Sequence, residues 1–151
     1  MRTGVRLGVD VGSVRIGVAR CDRDGILATP VETIPRDDEA VARILTIATD
    51  LDCIEIYVGL PVSLSGANTA STMDAMSFAR DLAERSSIDV RFIDERLTTV
   101  SAHAALRSSG KKASRSRSVV DQVAAVMLLQ HALDSERARD AVPGTSVADH
   151  S

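Results

Sequence analysis

The stretch LGVDVGSVRIGVA, Leu7 to Ala19, decides the fold. It holds two apolar runs separated by the turn VGSV, with an aspartate set between two valines. By the two-residue period of a strand, Val5, Leu7 and Val9 face one way. Asp10 faces the other, beside Gly8, where a missing side chain leaves room. Gly12 then lets the backbone turn sharply or approach a ligand closely. Val5–Val9 and Arg15–Cys21 therefore read as the first two strands of an antiparallel unit. Asp24-Gly25 is the turn into a third strand, Ile26–Ile34.

Outward from this unit the periodicity changes. Pro35 and the acidic Asp37, Asp38 and Glu39 lead into a helix in which Val41, Ile44, Leu45, Ala48 and Leu51 recur at helical spacing. Ile54–Gly59 is a strand, and a helix from about Thr69 to Arg85 follows a polar loop. Val90–Ile93 is a fifth strand. Thr98 or Thr99 caps a helix ending near Ser109, with Gly110 as its stop. Ser118 opens a long apolar helix to about Leu133. The order β-β-β-α-β-α-β-α-α predicts an α/β fold: a mixed five-stranded sheet, an antiparallel meander of strands 1–3 followed by alternating helices and strands, flanked by helices. Residues 1–134 form one domain on this reading, and 135–151 a disordered tail.

The 151 residues are 44% hydrophobic and 26% charged, a globular balance. Aromatics make up 2%, which nearly excludes base-stacking platforms for single strands. Cys21 and Cys53 form no CxxC pair and no His cluster accompanies them, so a zinc site is not expected; both read as small core residues. His103 and His131 fall on helices and receive no catalytic role. Neither a signal peptide nor a membrane-length apolar run is visible, which points to the cytoplasm and to reduced thiols. The net charge is −3, yet Arg107–Arg117, RSSGKKASRSR, carries +5, leaving −8 for the remainder. An acidic body with one basic loop can meet a polyanion locally.

Three carboxylates stand against apolar backgrounds. Asp10 ends the first strand, where a turn-forming aspartate is the plainer reading. Glu95 follows the fifth strand in DERLTT, and alternation sends Asp94 and Glu95 to opposite sides. There the plainer reading is a solvated strand end with Arg96 as counter-ion. Asp121, in SVVDQVAAVMLLQHAL, forms an S-x-x-D capping box with Ser118. It also shares a face with Ala124, Ala125 and Leu128, at the edge of a core where ionisation is costly unless compensated. Oxygen ligands from a first strand, a later strand end and a helix suit Mg²⁺ or Mn²⁺, and such sites serve phosphodiester chemistry.

LGVDVGSVRIGVA, YVGLP, DERLTT and SRSRSVVDQVAAVMLLQ occur in the order found in the YqgF/RuvX family, which the chain resembles from about Leu7 to Leu133. That resemblance implies a ribonuclease H-like fold. It also implies a metal-dependent endonuclease that processes the 5′ end of pre-16S ribosomal RNA or resolves Holliday junctions. It assigns Asp10, Glu95 and Asp121 as the catalytic, metal-binding acids, with Mg²⁺, or alternatively Mn²⁺, as cofactor. The family's Lys-Arg after the first aspartate is Val14-Arg15 here, so Arg15 alone keeps a phosphate-contacting charge. After Gly59-Leu60-Pro61 the family often has an Asn and an acid; Ser63 and Ser65 stand instead. Many ribonuclease H-like nucleases take their second carboxylate from the fourth strand, which here ends in Gly59 with none, so Glu95 substitutes from the neighbouring strand. Lys111, Lys112, Arg115 and Arg117 are the expected phosphate-backbone contacts.

The implied partner is nucleic acid, a precursor rRNA or branched DNA, bound by a monomer or homodimer without membrane involvement. Two rival readings stand beside it. One is a non-catalytic nucleic-acid-binding module of the same fold. The other is an ATP-binding relative of actin-like ATPases and sugar kinases, whose second, duplicated domain this chain is too short to hold.

Overall fold

The computed structural model describes residues 1–61, 68–94 and 113–149, the side chains of 113–121 and 149 excepted. Six strands form one sheet in the order β3-β2-β1-β4-β5-β6. They are β1 (Arg6–Val11), β2 (Arg15–Cys21), β3 (Ala28–Pro35), β4 (Glu55–Leu60), β5 (Asp89–Asp94) and β6 (Thr145–Ser146). The first three are antiparallel neighbours, while β1, β4 and β5 run parallel. Among the described residues three α-helices cover the sheet: α1 (Ala40–Asp50), α2 (Ala70–Glu84) and α3 (Ala113–Arg139).

The strand period divides the core in two. Leu7, Val9, Ile16, Val18, Ile56 and Val58 pack with Ile44, Phe78 and Leu82 of α1 and α2. Ala19, Cys21, Tyr57 and Ile93 pack on the other side against Ala125, Leu128, Leu129 and Leu133 of α3. Gly8 lies directly under α3: a Cβ there would stand 2.8 Å from the Leu129 Cβ and 2.9 Å from the Ala125 carbonyl oxygen. The room beside Gly8 is thus taken by the helix backbone, which approaches the sheet as closely as a missing side chain permits.

Several boundaries differ from the sequence reading. α2 begins as expected, with Thr69 as N-cap in a capping box with Thr72. α3 begins at Ala113, five residues before Ser118, because nothing after Gly110 interrupts a helix and Ala and Arg are strong helix formers. Ser118 and Asp121 therefore lie inside the helix, where no terminal N–H groups await a cap, and the capping explanation for Asp121 falls.

Residues 135–149 of the expected tail are folded instead. α3 continues to Arg139, Thr145–Ser146 pairs with Arg91 and Phe92 as a sixth strand, and Val147 is buried in the core. Pro143-Gly144 makes the turn: Gly144 sits at φ +72°, and a Cβ there would lie 2.2 Å from the Phe92 carbonyl oxygen. Arg91 holds this turn by donating to the carbonyls of Pro143 (2.7 Å) and Gly144 (2.9 Å). The helix expected from Thr98 to Ser109 lies outside the described residues. Among those described, no helix is long and apolar enough to cross a membrane.

Candidate active site

Three contacts fix how α3 lies on the sheet. Glu136 meets Arg6 at the start of β1, Leu129 and Ala125 meet Gly8, and Gln122 Nε2 donates to Thr33 Oγ1 at 3.0 Å. Rising helix number matches falling strand number, so α3 runs antiparallel to β1. Thr33 pairs with Gly17, and Gly17 with Asp10. Gln122 therefore reaches the row of the sheet to which Asp10 belongs.

Asp10 shares a side of β1 with Gly8, and hence the α3 face. Its cross-strand partner on β2 is Gly17. On the other flank Val9 pairs with Val58, which places Gly59 next along β4, and Gly59 pairs with Ile93. The strands on both sides of the half-buried Asp10 thus present glycine at its level. Arg15, two residues from Gly17 on β2, takes the same side by the strand period. Gly12 closes the turn by donating its N–H to the Arg15 carbonyl at 2.9 Å. A Cβ at Gly12 would lie 2.5 Å from that oxygen, so this glycine serves the hairpin.

The other expected acids are reached in part. The backbone of Asp121 lies on α3 one turn before Ala125, toward the Asp10 end of the face. Glu95 lies outside the described residues, immediately after β5. Asp94 is exposed and shares its side of β5 with Phe92, whose ring belongs to the α1–α2 core; it therefore stands on the far side from Asp10. Lys111 and Lys112 lie outside the described residues, and Arg115 and Arg117 fall on the first turns of α3 with their side chains undescribed. Among the described residues no three of His, Cys, Asp and Glu gather as metal ligands.

The opposite end of the α3 face holds a charged cluster that the sequence did not disclose. Arg6 is 0% exposed, Glu55 2% and Glu136 3%. Arg2 grips Glu55 with two bonds (2.9 and 3.1 Å), reaches Glu136 Oε1 at 2.6 Å and donates to the Tyr57 hydroxyl at 3.3 Å. Arg6 donates to Glu136 Oε2 (3.2 Å) and to the carbonyls of Gly4 and Arg2, while its buried Nε has no partner among the described residues. Burial alone would raise the Glu136 carboxyl. The side-chain and backbone hydrogen bonds of Arg2, with the charges of Arg2 and Arg6, outweigh burial and hold it below its ordinary value. Burial and then the Glu55 hydrogen bond raise the Tyr57 phenol. Cys21 and Cys53 are both buried and free, and burial pushes the Cys53 thiol up to about 12.

Arg36 is a further residue that the sequence left unmarked. It borders an open groove of about 530 Å³ lined by Val11, Gly12, Ser13, Ala70, Ser71 and Asp74, at the end of β1 and on the α2 side. Its guanidinium pairs with both Asp74 oxygens (2.8 and 2.9 Å), and Nη1 also donates to the Gly12 carbonyl at 3.0 Å. The hydrogen bond from Arg36 holds the Asp74 carboxyl below its ordinary range.

The sequence profile of a family described as "RuvX: Holliday junction resolvase" matches residues 4–135. A protein of Leifsonia xyli subsp. xyli is 59% identical over 149 residues, spanning 97% of this chain and 96% of the relative. One of Clavibacter michiganensis subsp. michiganensis is 57% identical over 150 residues, spanning 97% and 93%. One of Streptomyces avermitilis is 49% identical over 150 residues, spanning 97% and 96%. All three are named as candidate pre-16S rRNA nucleases. Among solved structures, T. thermophilus RuvC in complex with a Holliday junction substrate aligns with a TM-score of 0.59 at 16% identity, covering 95% of this chain and 99% of RuvC. At that identity the likeness shows the fold, the ribonuclease H-like architecture.

Proposed function

Because the chain belongs to the RuvX Holliday junction resolvase family, we propose that it is a metal-dependent endonuclease of structured nucleic acid. The substrate is the 5′ region of precursor 16S ribosomal RNA or a four-way DNA junction. The observation that carries this reading is the setting of Asp10. It faces α3 at the carboxyl end of a central strand, with glycines on both flanking strands and the Asp121 backbone on the helix above that end.

The donor set fits a hard divalent cation. Carboxylate oxygens from three elements suit Mg²⁺ or Mn²⁺, and glycine flanks leave space at the sheet surface that any side chain would occupy. Asp10, Glu95 and Asp121 are the residues that would hold the cation, which when bound supplies Lewis-acid polarisation of the phosphodiester. The far-side placement of Asp94 supports Glu95, not its neighbour, as the acid of this strand end. Glu95 serves as a ligand of that cation or, alternatively, as the base that orients the attacking water in line with the leaving oxygen and takes its proton. Arg15, Lys111, Lys112, Arg115 and Arg117 hold the phosphate backbone, which fixes register without reading sequence.

The test is a cleavage assay with purified protein. It offers a four-way DNA junction and a ribosomal RNA precursor side by side, with and without Mg²⁺. Cleavage of one substrate that requires Mg²⁺ and vanishes in Asp10→Asn is the expected result. Binding without Mg²⁺-dependent turnover would convert the protein into a nucleic-acid-binding module and overturn the proposal.

A further inference from the structure

Arg36 closes β3 and joins three elements at one point. Its backbone N–H donates to the Val14 carbonyl at 2.9 Å, and its Nη1 donates to the Gly12 carbonyl at 3.0 Å. The β1–β2 turn is thereby held at both of its ends by one residue. The same guanidinium is clamped in turn: Asp74 on α2 takes two bonds, and the Phe78 ring, one turn further along α2, lies 4.9 Å from Cζ. Ser13 and Val14 at the turn are exposed, and α3 packs on the opposite face of the sheet.

This arrangement is poorly accounted for as a stabilising device. The Arg36 and Asp74 side chains are 21% and 44% exposed, and ion pairs so placed contribute little to stability. What the geometry does supply is direction. A planar fork that meets a carboxylate edge-on, lies over a ring and still donates to a carbonyl admits one orientation; a lysine cannot reproduce it. Gly12 is two residues past Asp10, so fixing its carbonyl fixes the course of the strand end from which Asp10 projects.

We propose that Arg36, held by Asp74, is a positioning residue for Asp10: it sets the orientation of the β1 end and so the place of the first metal-binding acid. The proposal rests on the reading of Asp10 as a ligand. A shift of an ångström in such a group is costly to a site whose reaction depends on alignment.

The test compares Arg36→Lys and Asp74→Asn with the wild-type chain and with Ile47→Val, a destabilised control in α1 remote from the turn. Mn²⁺ binding is followed by the electron paramagnetic resonance of free Mn²⁺, alongside melting temperature and cleavage kinetics across Mg²⁺ concentrations. Both variants are expected to weaken Mn²⁺ binding about 10-fold, in the range of outer ligand-orienting contacts, and to raise the Mg²⁺ needed for half-maximal cleavage equally. Substrate KM at saturating metal stays at the wild-type value, and Ile47→Val lowers the melting temperature without moving either metal midpoint. Unchanged Mn²⁺ affinity in Arg36→Lys overturns the proposal. So does a raised KM with unchanged Mn²⁺ affinity, which would make Arg36 a substrate contact. Mn²⁺ binding that survives Asp10→Asn removes the parent reading instead, and the two failures are told apart by which variant is silent.

Discussion

At the start of β1, under the last turns of α3, two buried glutamates are met by two arginines of the same chain. At the far end of the same strand, under an earlier part of the same helix, Asp10 is flanked by Gly17 and Gly59. The sheet face, the covering helix and the kind of side chain are shared; the neighbours are not. A carboxylate matched by guanidinium groups from within is part of the framework, because its charge is compensated once folding is complete. At Asp10 the flanking strands present Gly17 and Gly59 at its own level, which leaves space at the protein's margin. Such space is what a cation with its water requires.

The widest test of this contrast is Asp10→Asn. It is expected to lower cleavage by about three orders of magnitude, since several kcal/mol of charge stabilisation are lost. Its stability should stay within about 0.5 kcal/mol of the wild type, measured by urea unfolding. Glu136→Gln is the mirror experiment. It leaves Arg6, fully buried, short of its counter-ion, and is expected to cost about 3–5 kcal/mol of stability. Cleavage per folded molecule should remain near wild type at a temperature where the variant is folded.

Gly8→Ala sits between the two regions and should trouble both. Its Cβ meets the backbone oxygen of Ala125, which cannot swing aside, so α3 must lift. A cost of about 1–3 kcal/mol is expected, together with a fall in cleavage, because Asp121 rides on the same helix. An unfolding curve with unaltered turnover would show that α3 does not carry an acid to the site.

Acid is the mildest probe. The folded Glu136 carboxyl titrates below its ordinary value of 4.5, so its contribution is present above that value. The contribution is lost as pH falls through the lower folded value. The wild-type melting temperature should therefore drop as pH falls below about 4.5, with a shallower drop in Glu136→Gln. Equal slopes would mean that the cluster does not set acid stability.

The elements that declared themselves in the sequence did so through periodicity. β2 was legible to the residue, because its apolar alternation is bounded by a turn on both sides. α2 was legible because its apolar residues recur at helical spacing after a polar loop. α3 runs further than its apolar spacing at both ends, since that spacing marks only the apolar stretch; polar residues extend it as good helix formers, and one of them, Glu136, reaches Arg6 of β1. β6 escaped because two residues make no period. Of the site, Asp10 was legible as an acid in an apolar strand. Arg36–Asp74 and Arg2–Glu55–Glu136 were not, because each pairing spans dozens of residues and single charges at surfaces look alike.

The short β6 has a practical consequence. It lies along the outer margin of β5, with Ser146 Oγ bonded to Asp89 at 2.8 Å and Val147 plugged into the core behind it. A molecule clipped near Ala141 would bare a row of unsatisfied main-chain groups beside an apolar hole. Such a margin is an adhesive template for the next molecule. Proteolytic trimming in storage should therefore show itself first as turbidity, well before the proposed reaction centre at the other end of the strands is harmed.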